Sequence, residues 1–166
     1  MSEKEGLELN DMRPEDWPAV RAIYGQGIAT GQATFETAPP TWSTWDRGHL
    51  PKPRLVIRQG EEISGWAALS PVSDRCVYGG VAEVSVYVAE RHRGRGLGKI
   101  LLQGLVMRSE AQGIWTLQAG IFPENKASIG LHLACGFKLV GIRERLGQLN
   151  GVWRDVALLE RRSQLI

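Results

Sequence analysis

Cysteine is scarce in this chain of 166 residues: only Cys76 and Cys135 occur. They match no metal-ligand spacing and make no disulfide framework. A reducing compartment, the cytoplasm, is the expected setting, and Cys135 reads as a small buried hydrophobe rather than a nucleophile. An excess of one charge is also lacking, since 20 Lys and Arg face 18 Asp and Glu and leave a net +2. That balance, without a basic stripe interleaved with aromatics, argues against a nucleic-acid partner. Long apolar runs are missing too. None approaches the ~20 residues of a membrane-spanning helix, and the opening MSEKEGLELN has no signal-peptide core. Repeats, linkers and low-complexity segments are absent. The 43% apolar and 23% charged residues belong to an ordinary globular composition. The length predicts a single domain, residues 1–166, able to bury a sizeable core.

What the chain does have is a concentrated stretch at residues 82–113. Val84, Val86 and Val88 alternate with Glu83, Ser85 and Tyr87, so the two sets face opposite sides of a strand. A turn dense in Gly and Arg follows, Arg93-Gly94-Arg95-Gly96-Leu97-Gly98, then an amphipathic helix carrying Leu97, Ile100, Leu101 and Leu105. Gly113 stands where a left-handed C-cap would end it. Strand, Gly-rich turn and helix start together describe an anion cradle: small residues let the backbone approach a phosphate, and the first helical N–H groups have no partner. Two familiar phosphate loops do not fit. The dinucleotide pattern counted from Gly94 needs Gly or Ala where Lys99 stands, and the mononucleotide loop fails at Arg93 and Ile100.

Elsewhere the pattern predicts a strand at residues 7–12 and a helix entered through Arg13-Pro14-Glu15-Asp16, with Trp17, Val20, Ile23, Tyr24 and Ile28 on its apolar face. A loop at 32–40 precedes a short helix at 41–49. Strands at 54–59 and 63–70 form a hairpin, and residues 71–80 form a loop. After the organising stretch come a strand at 114–121, a turn at 122–125 and a helix at 127–135. Strands at 138–145 and 152–161 close the chain, joined by a polar loop at 146–151. The order β-α-α-β-β-β-α-β-α-β-β is too irregular for a doubly wound fold. It predicts an α/β (α+β) domain with a mixed, mainly antiparallel sheet, one parallel crossover and helices on both faces.

The Arg-x-x-Gly-x-Gly turn resembles the pyrophosphate loop of the GNAT N-acetyltransferases, which use acetyl-coenzyme A, and the order of elements is theirs over nearly the whole chain. Within that superfamily the chain is similar to the phosphinothricin and methionine sulfoximine N-acetyltransferases. Four stretches carry the likeness: residues 34–40 (TFETAPP), 82–88 (AEVSVYV), 125–128 (NKAS) with Leu131-His132 and Gly136-Phe137, and 151–155 (GVWRD). It departs from them within residues 71–80, a loop that borders the acceptor pocket in the family.

The resemblance implies an enzyme that acetylates a primary amine by direct attack, without metal, and a homodimer. It implies Glu83 as general base, directly or through a water, and a strand splayed from its parallel neighbour and often bulged. There Val86, Tyr87 and Val88 pair their backbone with the pantetheine arm. Arg93, Gly94, Arg95, Gly96, Leu97, Gly98 and Lys99 hold the pyrophosphate, largely by backbone N–H. Asn125 is either a helix cap or, with Ser128, a partner of the cofactor arm. His132 stands where many members place a Tyr that protonates the leaving thiolate; a lone helical His can equally be structural. Phe35, Glu36, Arg75, Tyr78, Glu83 and Trp153 surround the acceptor, Arg75 as the cation for a carboxylate or phosphinate. His49 and His92 read as surface residues, and Trp42, Trp45 and Trp66 as core or dimer surface. The expected acceptor is a small amino acid or analogue. Another amine (a polyamine, an antibiotic or a peptide N-terminus) and a non-catalytic acyl-coenzyme A sensor are the alternatives.

Overall fold

The computed structural model describes residues 6–166. One seven-stranded sheet runs through it in the order β1-β2-β3-β4-β5-β7-β6. These strands are β1 (Leu7–Asp11), β2 (Arg54–Gln59), β3 (Glu62–Pro71), β4 (Val81–Val88), β5 (Thr116–Ile121), β6 (Lys138–Leu149) and β7 (Val152–Arg162). Every neighbouring pair is antiparallel except β4 and β5. Helices α1 (Trp17–Ala29) and α2 (Trp42–Gly48) lie on one face, and α3 (Leu97–Ala111) and α4 (Lys126–Ala134) on the other. The mixed sheet covered on both faces is the expected architecture. No helix among the described residues is long and apolar enough to cross a membrane.

Period-two alternation divides the core between the two faces. Leu55, Ile57, Ala67, Leu69, Ala82 and Val84 point to α3, where Leu97, Leu101, Leu102 and Leu105 are buried. Val56, Trp66 and Ala68 point the other way, to Val20, Ile23 and Trp45. Trp66 also stacks on Tyr87 at 4.9 Å between centroids. Trp45 and Trp66 are therefore core, while Trp42 stays partly exposed beside Trp45.

Several boundaries differ from the sequence expectation for local reasons. The first helix begins as a single tight turn at Pro14–Asp16, where the Arg13 N–H bonds Asp16 Oδ2 at 2.8 Å, and only then becomes α1. The loop expected at 146–151 is mostly strand. β6 continues to Leu149, and the turn is Asn150-Gly151, both at positive φ, 50° and 80°. That is the geometry an Asn-Gly hairpin prefers. A register shift between Arg143 and Gly147, with Arg145 at φ 43°, absorbs the irregular composition there. No register shift interrupts the β3–β4 ladder from Gly65–Val88 to Pro71–Ala82, so the bulge expected in β4 is not found. Shifts occur instead in the β2–β3 and β6–β7 pairs.

Candidate active site

The parallel pair is where the sheet opens. β4 and β5 are matched at only three positions, Val81–Thr116, Ala82–Leu117 and Glu83–Gln118. Beyond Glu83 the two strands part, while β4 remains paired to β3 and β5 to β7. The backbone of residues 84–88 on the β5 side is thus left without a ladder partner, and a cavity of about 490 Å³ fills the gap. That size suits a small ligand or a segment of a larger one.

Glu83 sits at the last matched position, on the face that α1 covers. Its Oε1 accepts a hydrogen bond from Gln118 Nε2 at 3.2 Å. On the same face Ser85 and Tyr87 line the cavity, with Tyr24 of α1 at 4.9 Å from the Tyr87 ring. Burial raises both tyrosine hydroxyls above their ordinary pKa, so they act as neutral donors. The fit is close: a Cβ on Gly27 would lie 2.6 Å from the Tyr87 ring, so α1 can approach only with glycine there.

Phe35 and Glu36 form the next wall. Their loop is held by Arg154, a β7 side chain only 14% exposed. Its Nη1 donates to Gly31 O at 3.1 Å and its Nη2 to Gln32 Oε1 at 3.0 Å and to Glu124 Oε2 at 3.4 Å. The guanidinium lies over the Phe122 ring at 4.0 Å, and Phe35 meets that ring edge-on at 4.9 Å.

Across the gap, α4 brings Asn125, Ser128 and His132. Asn125 is a cap in this fold: its Oδ1 accepts the Ser128 N–H at 3.2 Å, and its Nδ2 donates to Gln32 O at 3.2 Å. His132 is 5% exposed and packs edge-on against Phe137 at 5.2 Å. Its Nδ1 lies 2.7 Å from Ser128 O. A carbonyl only accepts, so Nδ1 carries the proton and Nε2 holds a lone pair when the ring is neutral. Burial lowers the His132 pKa and outweighs the opposing Ser128 bond, which keeps the ring neutral near pH 7.

The Gly-Arg turn lies outside this cavity, between β4 and α3. Gly94 and Gly96 have φ of 78° and 80°, and among the described residues no atom beyond their chain neighbours stands within 4 Å of where their Cβ would be. Gly96 caps α3 without any side-chain hydrogen bond. The start of α3 thus has no side-chain cap on its first N–H groups, and Arg93, Arg95 and Lys99 are exposed beside it in the chain, an arrangement that could hold a pyrophosphate. Leu97 is buried instead, as an anchor of α3.

The structure thus gathers Phe35, Glu36, Glu83, Val86, Tyr87, Asn125, Ser128 and His132 around one cavity. It does not bring Arg75, Tyr78 or Trp153 there. Arg75 is exposed and packs over the Tyr78 ring at 5.5 Å; Tyr78 and Trp153 are 46% and 55% exposed. One histidine reading is corrected: His49 is half-buried and lines the cavity. His92 lies outside the cavity, its Nε2 2.8 Å from Oε1 of the exposed Glu62. Sequence reasoning also missed Tyr24, Thr34, Ser85 and Gln118. Ser85 was within reach, since it shares Glu83's side of the strand; Gln118 depends on parallel register.

The Acetyltransferase (GNAT) family model matches residues 10–137. The phosphinothricin N-acetyltransferase of Alcaligenes faecalis is 37% identical over 90% of this chain and 79% of its own length. The L-methionine sulfoximine/L-methionine sulfone acetyltransferase of Pseudomonas aeruginosa is 33% identical over 92% of each chain. A GNAT superfamily phosphinothricin acetyltransferase from Sinorhizobium meliloti, solved in complex with acetyl-coenzyme A, superposes with a TM-score of 0.84 at 31% identity, covering 95% of this chain and 88% of that one. The splayed parallel pair, the Gly-rich helix start and these likenesses across almost the whole chain agree, and the chain belongs to the GNAT family of acetyltransferases.

Proposed function

We propose that this acetyltransferase moves the acetyl group of acetyl-coenzyme A to the primary amine of a small amino acid or analogue, phosphinothricin or methionine sulfoximine among them. The observation that carries the reading is Glu83, the carboxylate at the point where β4 and β5 part, in the same cavity as His132. The names of the relatives support the acceptor class, and the neighbour solved with acetyl-coenzyme A supports the cosubstrate.

Acetyl-coenzyme A supplies a thioester, whose carbonyl carbon is the electrophile. Arg93 through Lys99 would hold its pyrophosphate, and the free backbone edge at Val86, Tyr87 and Val88 its pantetheine arm, with one N–H polarising the carbonyl. Ser128 and Asn125 border that arm. Glu83 takes the first proton from the incoming ammonium, directly or through a water, so that the nitrogen lone pair can attack. His132 Nε2 is free to accept the second proton as the C–N bond forms, and it returns that proton to the sulfur as the C–S bond breaks. The imidazole ends neutral, and Glu83 discharges its proton to solvent.

The cradle has a direct test. Gly96→Val imposes a side chain at φ 80°, where L residues are strained, and crowds the open helix start. The variant should fold but bind acetyl-coenzyme A at least ~10-fold more weakly by calorimetry, in line with a loss of ~1.4 kcal/mol or more. Unchanged affinity would move the pyrophosphate elsewhere.

The described residues lining the cavity include no Lys or Arg. We propose a homodimer as well, since edge strand β6 exposes Leu139, Val140, Ile142 and Leu146. A second copy would then be what brings a cation such as Arg75 to the acceptor's carboxylate. Steady-state kcat/KM for phosphinothricin and methionine sulfoximine should exceed that for spermidine and a peptide N-terminus, and light scattering should give twice the chain mass. A wide preference for spermidine by a monomer would transfer the reading to polyamines.

A further inference from the structure

Besides His132, a second imidazole faces the cavity, and nothing in the acetyl-transfer scheme uses it. His49 follows α2, and the surrounding segment is built to hold it. Its ring stacks on Trp45 at 4.1 Å and meets Trp66 edge-on at 6.4 Å. The Leu50 N–H bonds Leu69 O at 2.8 Å, which ties the segment to β3. Arg54 donates to Leu50 O at 2.8 Å, to Asp46 O and His49 O at 3.1 Å each, and to the Asp46 carboxylate at 2.7 Å. That is four bonds from one guanidinium to the segment that presents a single imidazole.

The chemistry of the ring is then determined. Nδ1 lies 2.6 Å from Trp45 O, so Nδ1 carries the proton and donates it. Among the described residues Nε2 has no hydrogen-bond partner, and His49 lines the cavity, so its lone pair is available to a ligand there. Burial lowers the pKa, which outweighs the Trp45 bond and keeps the ring neutral. The other titratable groups lining the cavity are Glu36, Glu83, His132, Tyr24 and Tyr87. Neither lining carboxylate, Glu36 nor Glu83, hydrogen-bonds the ring, and the nearby Asp46 and Arg54 charges act on it in opposite directions.

Position assigns the part of the acceptor it meets. Leu69 neighbours Ser70, and Ser70 pairs with Glu83 across the β3–β4 ladder. His49 is thus one to two strand spacings from Glu83, about 5–10 Å, the span from the amine to the far end of a methionine-sized amino acid. With the amine at Glu83, the distal group lies toward Nε2.

We propose that His49 is a specificity-determining residue whose Nε2 accepts a hydrogen bond from an N–H on the distal end of the acceptor. This rests on the small amino-acid reading above. Methionine sulfoximine has such an N–H; methionine sulfone replaces it with a second oxygen and has only acceptors there. The two are nearly the same size, so they isolate the one contact.

The test compares kcat/KM for L-methionine sulfoximine and L-methionine sulfone in the wild type, His49→Gln and His49→Phe. The wild type should favour the sulfoximine by about 10-fold, the scale of one hydrogen bond whose loss leaves an acceptor facing an acceptor. His49→Phe keeps a ring on Trp45 but offers no lone pair, so the ratio should fall to near one, through KM for the sulfoximine. His49→Gln presents an amide oxygen and should retain part of the preference. Unchanged acetyl-coenzyme A affinity and melting temperature separate the effect from misfolding. A wild-type ratio near one, or a ratio untouched in a folded His49→Phe, overturns the proposal. Acetylation of spermidine but of neither methionine derivative would show instead that the acceptor class is wrong; His49 as assigned falls with it, whereas turnover of both at equal rates removes His49 alone.

Discussion

Glu83→Gln should bind acetyl-coenzyme A as tightly as the wild type and turn over about 10²–10⁴-fold more slowly, the range for loss of a general base. The substitution is nearly isosteric. The amide oxygen can still accept the Gln118 Nε2 hydrogen bond that the carboxylate accepts at 3.2 Å, so the end of the matched β4–β5 pair is preserved. What is removed is the capacity to take a proton at that point. The loss should appear in kcat under saturating acetyl-coenzyme A and in single-turnover rates, because deprotonation precedes attack in the proposed scheme. His132→Gln should be milder, since the proton assigned to it there can also pass through water. A Glu83→Gln enzyme with wild-type turnover would mean that bulk solvent or another group deprotonates the amine, and Glu83 would become a contributor to cavity charge alone.

Asp16→Ala should cost about 3–5 kcal/mol of folding free energy, the usual consequence of leaving one member of a buried ion pair behind. Asp16 is 5% exposed, and the Arg58 side chain 14%. Two parallel bonds join them, Nη1 to Oδ1 at 3.0 Å and Nη2 to Oδ2 at 2.7 Å, and the Arg13 N–H adds a third to the carboxylate. The pair fastens the start of α1 to β2, and α1 carries Tyr24 to the cavity wall. Urea unfolding measures the effect; a change below ~1 kcal/mol would show that the pair is as wet as an ordinary surface bridge. The double replacement Asp16→Leu with Arg58→Met should recover part of the loss, because an apolar pair needs no desolvation.

Acid should weaken the fold in two stages. Burial raises the Asp16 pKa, but hydrogen bonds from Arg58 and Arg13 and the Arg58 charge together hold it below the ordinary 3.8. Its stabilisation is therefore fully present above 3.8 and is lost as pH falls below that through the lower folded-state value. His49 and His132 are depressed below 6.5 by burial, so the unfolded chain binds protons first and stability starts to fall below about pH 6.5. Melting temperature against pH should show the earlier stage disappear in a His49→Phe, His132→Phe double variant.

The local elements of this protein were legible in its sequence because their causes are local. Gly94 and Gly96 take positive φ where a turn must feed a helix, and Gly113 ends α3 at φ 81°. The alternation in β4 divides Val84 from Glu83, Ser85 and Tyr87 without reference to any neighbour. Asn125 before Ser128 is a cap readable from four consecutive residues. The sequence motifs therefore determined the helix-start cradle, the strand that carries Glu83 and the family to which both belong. What the tertiary structure decided depends on register and approach between segments far apart in the chain. Gln118 meets Glu83 only because the parallel pair stops after three positions. Arg154 reaches Gly31, more than 100 residues away, because β7 lies between β5 and β6. Arg75 and Trp153 are left outside the cavity within one chain, since their segments point their side chains to solvent. His49 enters the cavity because Trp45, Leu69 and Arg54 converge on it, and no spacing along the chain encodes that convergence.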